Sequence, residues 1–121
     1  MKTVQVEKMN YLDQEGTHPI ASGKLEDSLK EEPIVLMLDA QSIYFQAYTG
    51  GILDRADCGT DANHPVIAVG WGVSDAGKQF YIIKNTWGAD WGEDGYIRIA
   101  ATHGGFGICG INSIGVWPST N

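Results

Sequence analysis

Cysteine is scarce in this sequence, with two in 121 residues, Cys58 and Cys109. They form no CxxC pair, and no histidine stands at zinc-ligand spacing from both. The residues alone leave two readings open. They are free buried thiols, as in a cytosolic protein, or a bridge that would add roughly 4 kcal/mol by closing the long loop between them. Positive charge is also sparse: 8 Lys and Arg stand against 15 Asp and Glu, for a net charge of −7. No basic cluster exceeds a scattered pair, which argues against a surface that tracks nucleic-acid phosphates. Long apolar runs are missing. The longest, Pro65 to Val73, is half of what a membrane span needs. The opening MKTVQVEKMN lacks the apolar stretch of a signal sequence, so either the chain is intracellular or Met1 is not the natural start. No repeat, linker or low-complexity segment divides the chain, and its length suits one domain over residues 1–121.

What is present is glycine, 16 residues, and the tight turns that it permits. Val4 and Val6 alternate with polar residues as a short strand, and 13–22 is turn-rich. Ser22 is placed to cap a short helix from about Lys24 to Glu32, with Leu25 and Leu29 on one face and Pro33 ending it. Ile34 to Leu38 (IVLML) reads as a strand buried on both sides. Gln41 to Tyr48 has helical spacing for about two turns, broken by Gly50-Gly51. Strands follow at Val66–Val69, Phe80–Lys84 and Tyr96–Ala100, and a broken one at Ile108–Trp117, with a turn at Ser74–Gly77. The order lacks βαβ alternation. It predicts an α+β domain with one or two short helices on a strongly bent antiparallel sheet or small β-barrel.

GFGICG at 105–110 matches GxGxxG formally, but no helix follows it, so turn glycines are the better account. His18 and His103 lie in polar or glycine-rich loops and read as solvated groups. No HxH or HExxH spacing gathers ligands, so no metal is expected. His64 and Asn85 differ in kind. One leads a strand and the other ends the next, so antiparallel pairing would bring them together at one end of the sheet. An Asn that bonds a His ring fixes its orientation and tautomer and frees the other nitrogen for a nucleophile's proton. A structural His–Asn contact is the plainer reading, and Trp87 is large enough to cover either.

The stretches CGTDANHPVIAVGWG and YIIKNTWGADWGEDGYIRI resemble the papain-like cysteine proteases, the papain and cathepsin L branch above all. The resemblance runs from about Pro33 to Gly110, with a plausible tail to Trp117. It implies the C-terminal, β-rich domain of that fold. It makes His64 the catalytic histidine, Asn85 its orienter, Trp87 the shield of that pair and Trp91 the floor of the leaving-group side. It implies a Cys58–Cys109 disulfide, and with it an oxidising compartment. Met37, Ala62, Pro65 and Ile114 fall where the family lines the pocket for the second substrate residue before the scissile bond; all four are apolar, which favours bulky hydrophobic side chains there. Two positions depart from the family pattern. Thr86 replaces a serine, and Pro65 replaces Ala or Gly, biasing His64 toward extended geometry.

The nucleophilic cysteine of the family opens a helix within a CGSCW-like signature, with a glutamine just upstream. Neither signature occurs here. The resemblance therefore implies half of a cysteine peptidase, supplying the base and its orienter for peptide hydrolysis but inactive alone. The alternative is a non-catalytic papain-like module serving as a binding or structural subunit. Either way the cleft face, including parts of Ala40 to Tyr48, calls for a partner: a helical half carrying the cysteine, another protein, or a second copy. No cofactor is implied. A fragment of a full-length protease would be lysosomal, vacuolar or secreted, and a chain truly starting at Met1 intracellular.

Overall fold

A computed structural model describes residues 8–11, 23–101 and 105–119. The strand expected at Val4 and Val6, the turn-rich 13–22, Ser22, His18 and His103 lie outside the described residues. Seven strands are present: β1 (Lys8–Tyr11), β2 (Ile34–Leu38), β3 (Ile52–Leu53), β4 (His64–Val73), β5 (Gln79–Lys84), β6 (Tyr96–Ala100) and β7 (Ile114–Ser119). They form one sheet in the order β1-β7-β2-β4-β5-β6-β3. Every pairing is antiparallel except the short parallel β3–β6 contact. Two short helices, α1 (Lys24–Leu29) and α2 (Ile43–Gln46), complete the α+β domain. The sheet is open: among the described strands no pairing closes it into a barrel.

Each helix is shorter than its periodicity suggested. The N-cap of α1 is Gly23, left-handed at φ 82°, with no side-chain cap, so the role expected of Ser22 falls to a glycine. Leu25 is fully buried and Leu29 packs beside it, as their shared face requires. One turn, not two, forms at α2, where the Ser42 hydroxyl accepts the Tyr44 N–H at 3.3 Å.

β2 corrects a second expectation. Ile34, Leu36 and Leu38 enter the core, while Val35 and Met37 face the other side and are half-buried. The run is apolar throughout, but only one of its sides packs against the core. β4 extends well beyond Val66–Val69 in both directions. Its register with β5 shifts between Ala68 and Gly70, a bulge beyond which the strand continues through Gly70 and Gly72.

The core gathers the inward residues of β2, β4, β5 and β6 (among them Leu36, Val66, Ile83 and Ile97) with Leu25 and Phe45 from the helices. Burial of Tyr81 pushes its phenol well above the usual tyrosine range, and the Glu26 carboxylate that accepts its O–H adds to the shift. Cys58 and Cys109 form a disulfide with Cα atoms 4.7 Å apart. It ties the loop before β4 to the 3-10 turn at Ile108–Gly110. That turn contains Gly110, the last of the GxGxxG glycines, and no α-helix begins there.

Candidate active site

The alternation of β4 sends His64, Val66 and Ala68 to one face, and that of β5 sends Tyr81, Ile83 and then Asn85 to the same face. With Ile67 paired to Lys84, the start of β4 lies beside the end of β5. The two side chains meet there, His64 Nε2 standing 2.9 Å from Asn85 Oδ1. The Thr86 N–H also donates to that oxygen, at 2.8 Å. Oδ1 can only accept, so Nε2 carries the hydrogen and Nδ1 is left as the nitrogen able to take a proton. Asn85 is 4% exposed, and its own N–H donates to the Gly95 carbonyl at 3.0 Å. Its Nδ2 is buried without a hydrogen-bond partner among the described residues.

Trp87 lies against the His64 ring, centroids 5.2 Å apart and planes tilted by 37°. Its other side meets Phe45 and Trp91 edge-on, at 5.2 and 5.5 Å. Trp91 rests on Phe45 at 4.9 Å and on Tyr48 at 5.6 Å, and its Nε1–H donates to the Gln46 carbonyl at 3.2 Å. Phe45 is therefore the buried hub on which both tryptophans sit. The helical spacing read in 41–48, through Ile43, Tyr44, Ala47 and Tyr48, passed over it. Of the segment Ala40 to Tyr48, Ala40, Phe45 and Tyr48 are buried while Ile43 is exposed.

The loop carrying the tryptophans is anchored by Glu93. Its carboxylate accepts Arg98 Nε and Nη2 at 2.9 and 2.8 Å and the Gly51 N–H at 3.2 Å. The Arg98 fork holds this carboxyl down at about 2, against the opposing effect of burial. The Tyr48 hydroxyl donates to the Gly51 carbonyl at 2.5 Å and accepts the Arg98 N–H at 3.3 Å. Burial is the main reason that the Tyr48 phenol is raised. Gly92 sits at φ 61°, where a Cβ would lie 2.6 Å from the Tyr96 carbonyl oxygen and 3.1 Å from the Tyr48 ring.

A second anchor leads into His64. Asp39 Oδ1 accepts Asn63 Nδ2 at 3.1 Å, Asp39 Oδ2 accepts the Asp61 N–H at 3.2 Å, and Asn63 Oδ1 accepts the Ala40 N–H at 2.9 Å. Sequence reasoning passed over Asp39, Asn63, Glu93 and Arg98. Their partners lie far off in the chain, except within the Glu93–Arg98 pair, whose spacing fits a turn into β6.

The proposed pocket residues are only partly assembled. Met37 and Pro65 are direct partners across β2 and β4, and Met37 is also the register partner of Ile114 on β7, whose side chain lies outside the described set. Ala62 is half-buried two residues before His64. A shallow apolar groove adjoins them, walled by Val35, Pro65, Val66, Ile67 and Thr86; of the four expected residues it includes Pro65 alone. The ladder between β4 and β5 begins at Ile67, so Pro65 stands where only β2 flanks it. Among the described residues no three His, Cys, Asp or Glu side chains gather as a metal site.

Known proteins resemble this chain in sequence and fold. A family profile described as papain family cysteine protease matches residues 2–119. Ananain of Ananas comosus is 41% identical over 93 residues, which are 76% of this chain and 26% of that protein. Papaya proteinase 4 of Carica papaya is 40% identical over 100 residues, 82% of this chain and 28% of that one. Among solved structures, the bromelain protease from Ananas comosus in complex with the E64 inhibitor superposes with a TM-score of 0.83 at 33% identity, covering 96% of this chain and 51% of that chain. A Carica candamarcensis cysteine protease in complex with E-64 gives 0.80 at 33%, covering 100% and 52%. The chain thus spans about a quarter of the curated relatives and about half of these two solved chains.

Proposed function

Because this chain belongs to the papain family of cysteine proteases, we propose that it supplies the histidine base and orienting asparagine for thiol-dependent peptide hydrolysis, with the nucleophilic cysteine on a separate helical half. The 2.9 Å contact of His64 Nε2 with Asn85 Oδ1, flanked by Trp87, carries the reading. It leaves Nδ1 to take the thiol proton. The thiolate attacks the peptide carbonyl carbon, and His64 returns the proton to the leaving amine as the acyl-thioester forms. It then draws a proton from the water that releases the acid. The chain's two cysteines are spent on each other, so neither offers a thiol. Removal of the nucleophile from such a unit costs on the order of a million-fold. The chain is accordingly inactive by itself.

The exposed edge supports a covering partner. Trp87 is 43% exposed, and Val35, Met37, Pro65 and Ile67 present an apolar face on the other side of the sheet. In the completed cleft, Met37, Ala62, Pro65 and Ile114 select a bulky hydrophobic residue at the second position before the scissile bond. The disulfide points to an oxidising compartment, vacuolar or secreted. No helix among the described residues is long and apolar enough to cross a membrane. The same disulfide favours the alternative reading, a papain-like binding or structural module without chemistry of its own, since it removes the only thiols present.

Native mass spectrometry with a thiol-directed peptide epoxide tests the proposal. The chain is measured alone and mixed with the helical half of a relative such as ananain. One adduct on the helical half, formed in the mixture and lost with His64→Ala, is the expected result. A complex that takes no adduct, or takes it equally with His64→Ala, would leave the binding module as the reading.

A further inference from the structure

Taking His64–Asn85 as the functional pair, as proposed above, we propose that Glu93, Arg98 and Tyr48 are positioning residues that set the tilt of Trp91 and, through it, the Trp87 cover over that pair. The observations form one continuous path. Trp87 touches His64 at one end and Trp91 at the other, and Trp91 lies on Tyr48. Tyr48 is held at its hydroxyl by the Gly51 carbonyl and the Arg98 N–H. Glu93, two residues beyond Trp91, closes the path by gripping both Arg98 and the Gly51 N–H.

This one carboxylate joins the loop after α2, 42 positions away, to the tryptophan loop and to β6, which follows that loop. Each of the other holds on Trp91 allows motion in some direction. The bond from Nε1 to the Gln46 carbonyl fixes one edge of the indole and leaves it a pivot. Phe45 and Tyr48 offer flat contacts tilted by 37° and 42°, which permit sliding. A bidentate fork resists both, because a planar guanidinium and a carboxylate bond well in only one relative orientation. Glu93 and Arg98 side chains are about one-third exposed, at 33% and 36%. Such a partly solvated pair contributes modestly to overall stability, so geometry is the role that remains for it. The low Glu93 value noted above agrees with a fork that is formed whenever the carboxylate is charged.

The test reads the cover directly on the full chain, by the rate at which the His64 Nε2–H exchanges with solvent in NMR spectra. In Glu93→Ala the exchange should quicken about tenfold while the melting temperature moves little. Glu93→Gln keeps an acceptor for the Gly51 N–H and one arm to Arg98, and should recover most of the protection. If Glu93→Ala does not fold, Arg98→Lys serves: it keeps the charge, loses the fork, and should quicken exchange several-fold. Unchanged exchange in a folded variant whose Gly51 and Tyr48 resonances show the clamp open would overturn the inference. So would a loss of protection that merely tracks the fall in melting temperature. No covering half enters this measurement, so its failure and that of the epoxide test are separable.

Discussion

Phe45→Ala is the substitution by which the aromatic hub can be weighed. Phe45 is 0% exposed and lies against three rings, with Trp91 at 4.9 Å, Trp87 at 5.2 Å and His64 at 6.3 Å. Truncation of a buried phenylalanine costs about 3–5 kcal/mol in transfer and cavity terms. Aromatic pairing adds about 0.5–1.5 kcal/mol per well-placed pair, but all three pairs share the Phe45 ring and are not additive. The upper half of the range, about 4–5 kcal/mol, is therefore expected. With a urea slope of about 2 kcal/mol/M, the midpoint should fall by about 2 M. The assay is urea unfolding followed by tryptophan fluorescence, with Phe45→Leu beside it. Leucine keeps most of the volume and should cost well under half as much. A Phe45→Ala loss below about 2 kcal/mol, with Trp87 and Trp91 emission unchanged, would refute the hub, since it would show that the tryptophans hold their places without it.

Removal of the disulfide with Cys58→Ser and Cys109→Ser should cost about 4 kcal/mol, read as a drop in urea midpoint. A drop under 1 kcal/mol would mean that the anchored loop is ordered without it. The raised Tyr81 phenol keeps its proton in the folded state when the unfolded chain loses it. Stability should therefore decline as pH rises beyond 10, and Tyr81→Phe should flatten that decline. Glu93 behaves in the opposite sense. Its contribution is present above its ordinary value of 4.5 and lost as pH falls through about 2. Glu93→Gln should remove that part of the acid dependence, and an unaltered acid limb in the variant would contradict it.

The sequence carried the site further than the sheet. His64, Asn85 and Trp87 were legible because strand alternation and one motif place them together, and the geometry agrees. The β3–β6 pairing was not legible, since two residues carry too little periodicity to mark a strand. The bulge at Val69 hid half of β4 behind glycines that usually end strands. One-sided burial of β2 could not be read from a run apolar on both sides, because what lies against each face is a tertiary fact. Glu93, Asp39 and Asn63 were missed for a related reason: a polar residue in a loop looks the same whether solvated or bonded to a segment 22 or 42 positions away.

The strand order bears on how the chain acquires its shape in time. β7, late in the sequence, lies inside the sheet between β1 and β2. The hairpin of β4 and β5, which carries His64 and Asn85, can zip through a short turn within microseconds. The β2–β7 and β1–β7 pairings must instead bring together segments from the two halves of the chain and bear the entropy of a long loop. Such non-local contacts slow folding. Until β7 docks, the free edge of β2 is an unpaired strand, so a ribosome-bound chain would hold its histidine pair before it had a finished sheet.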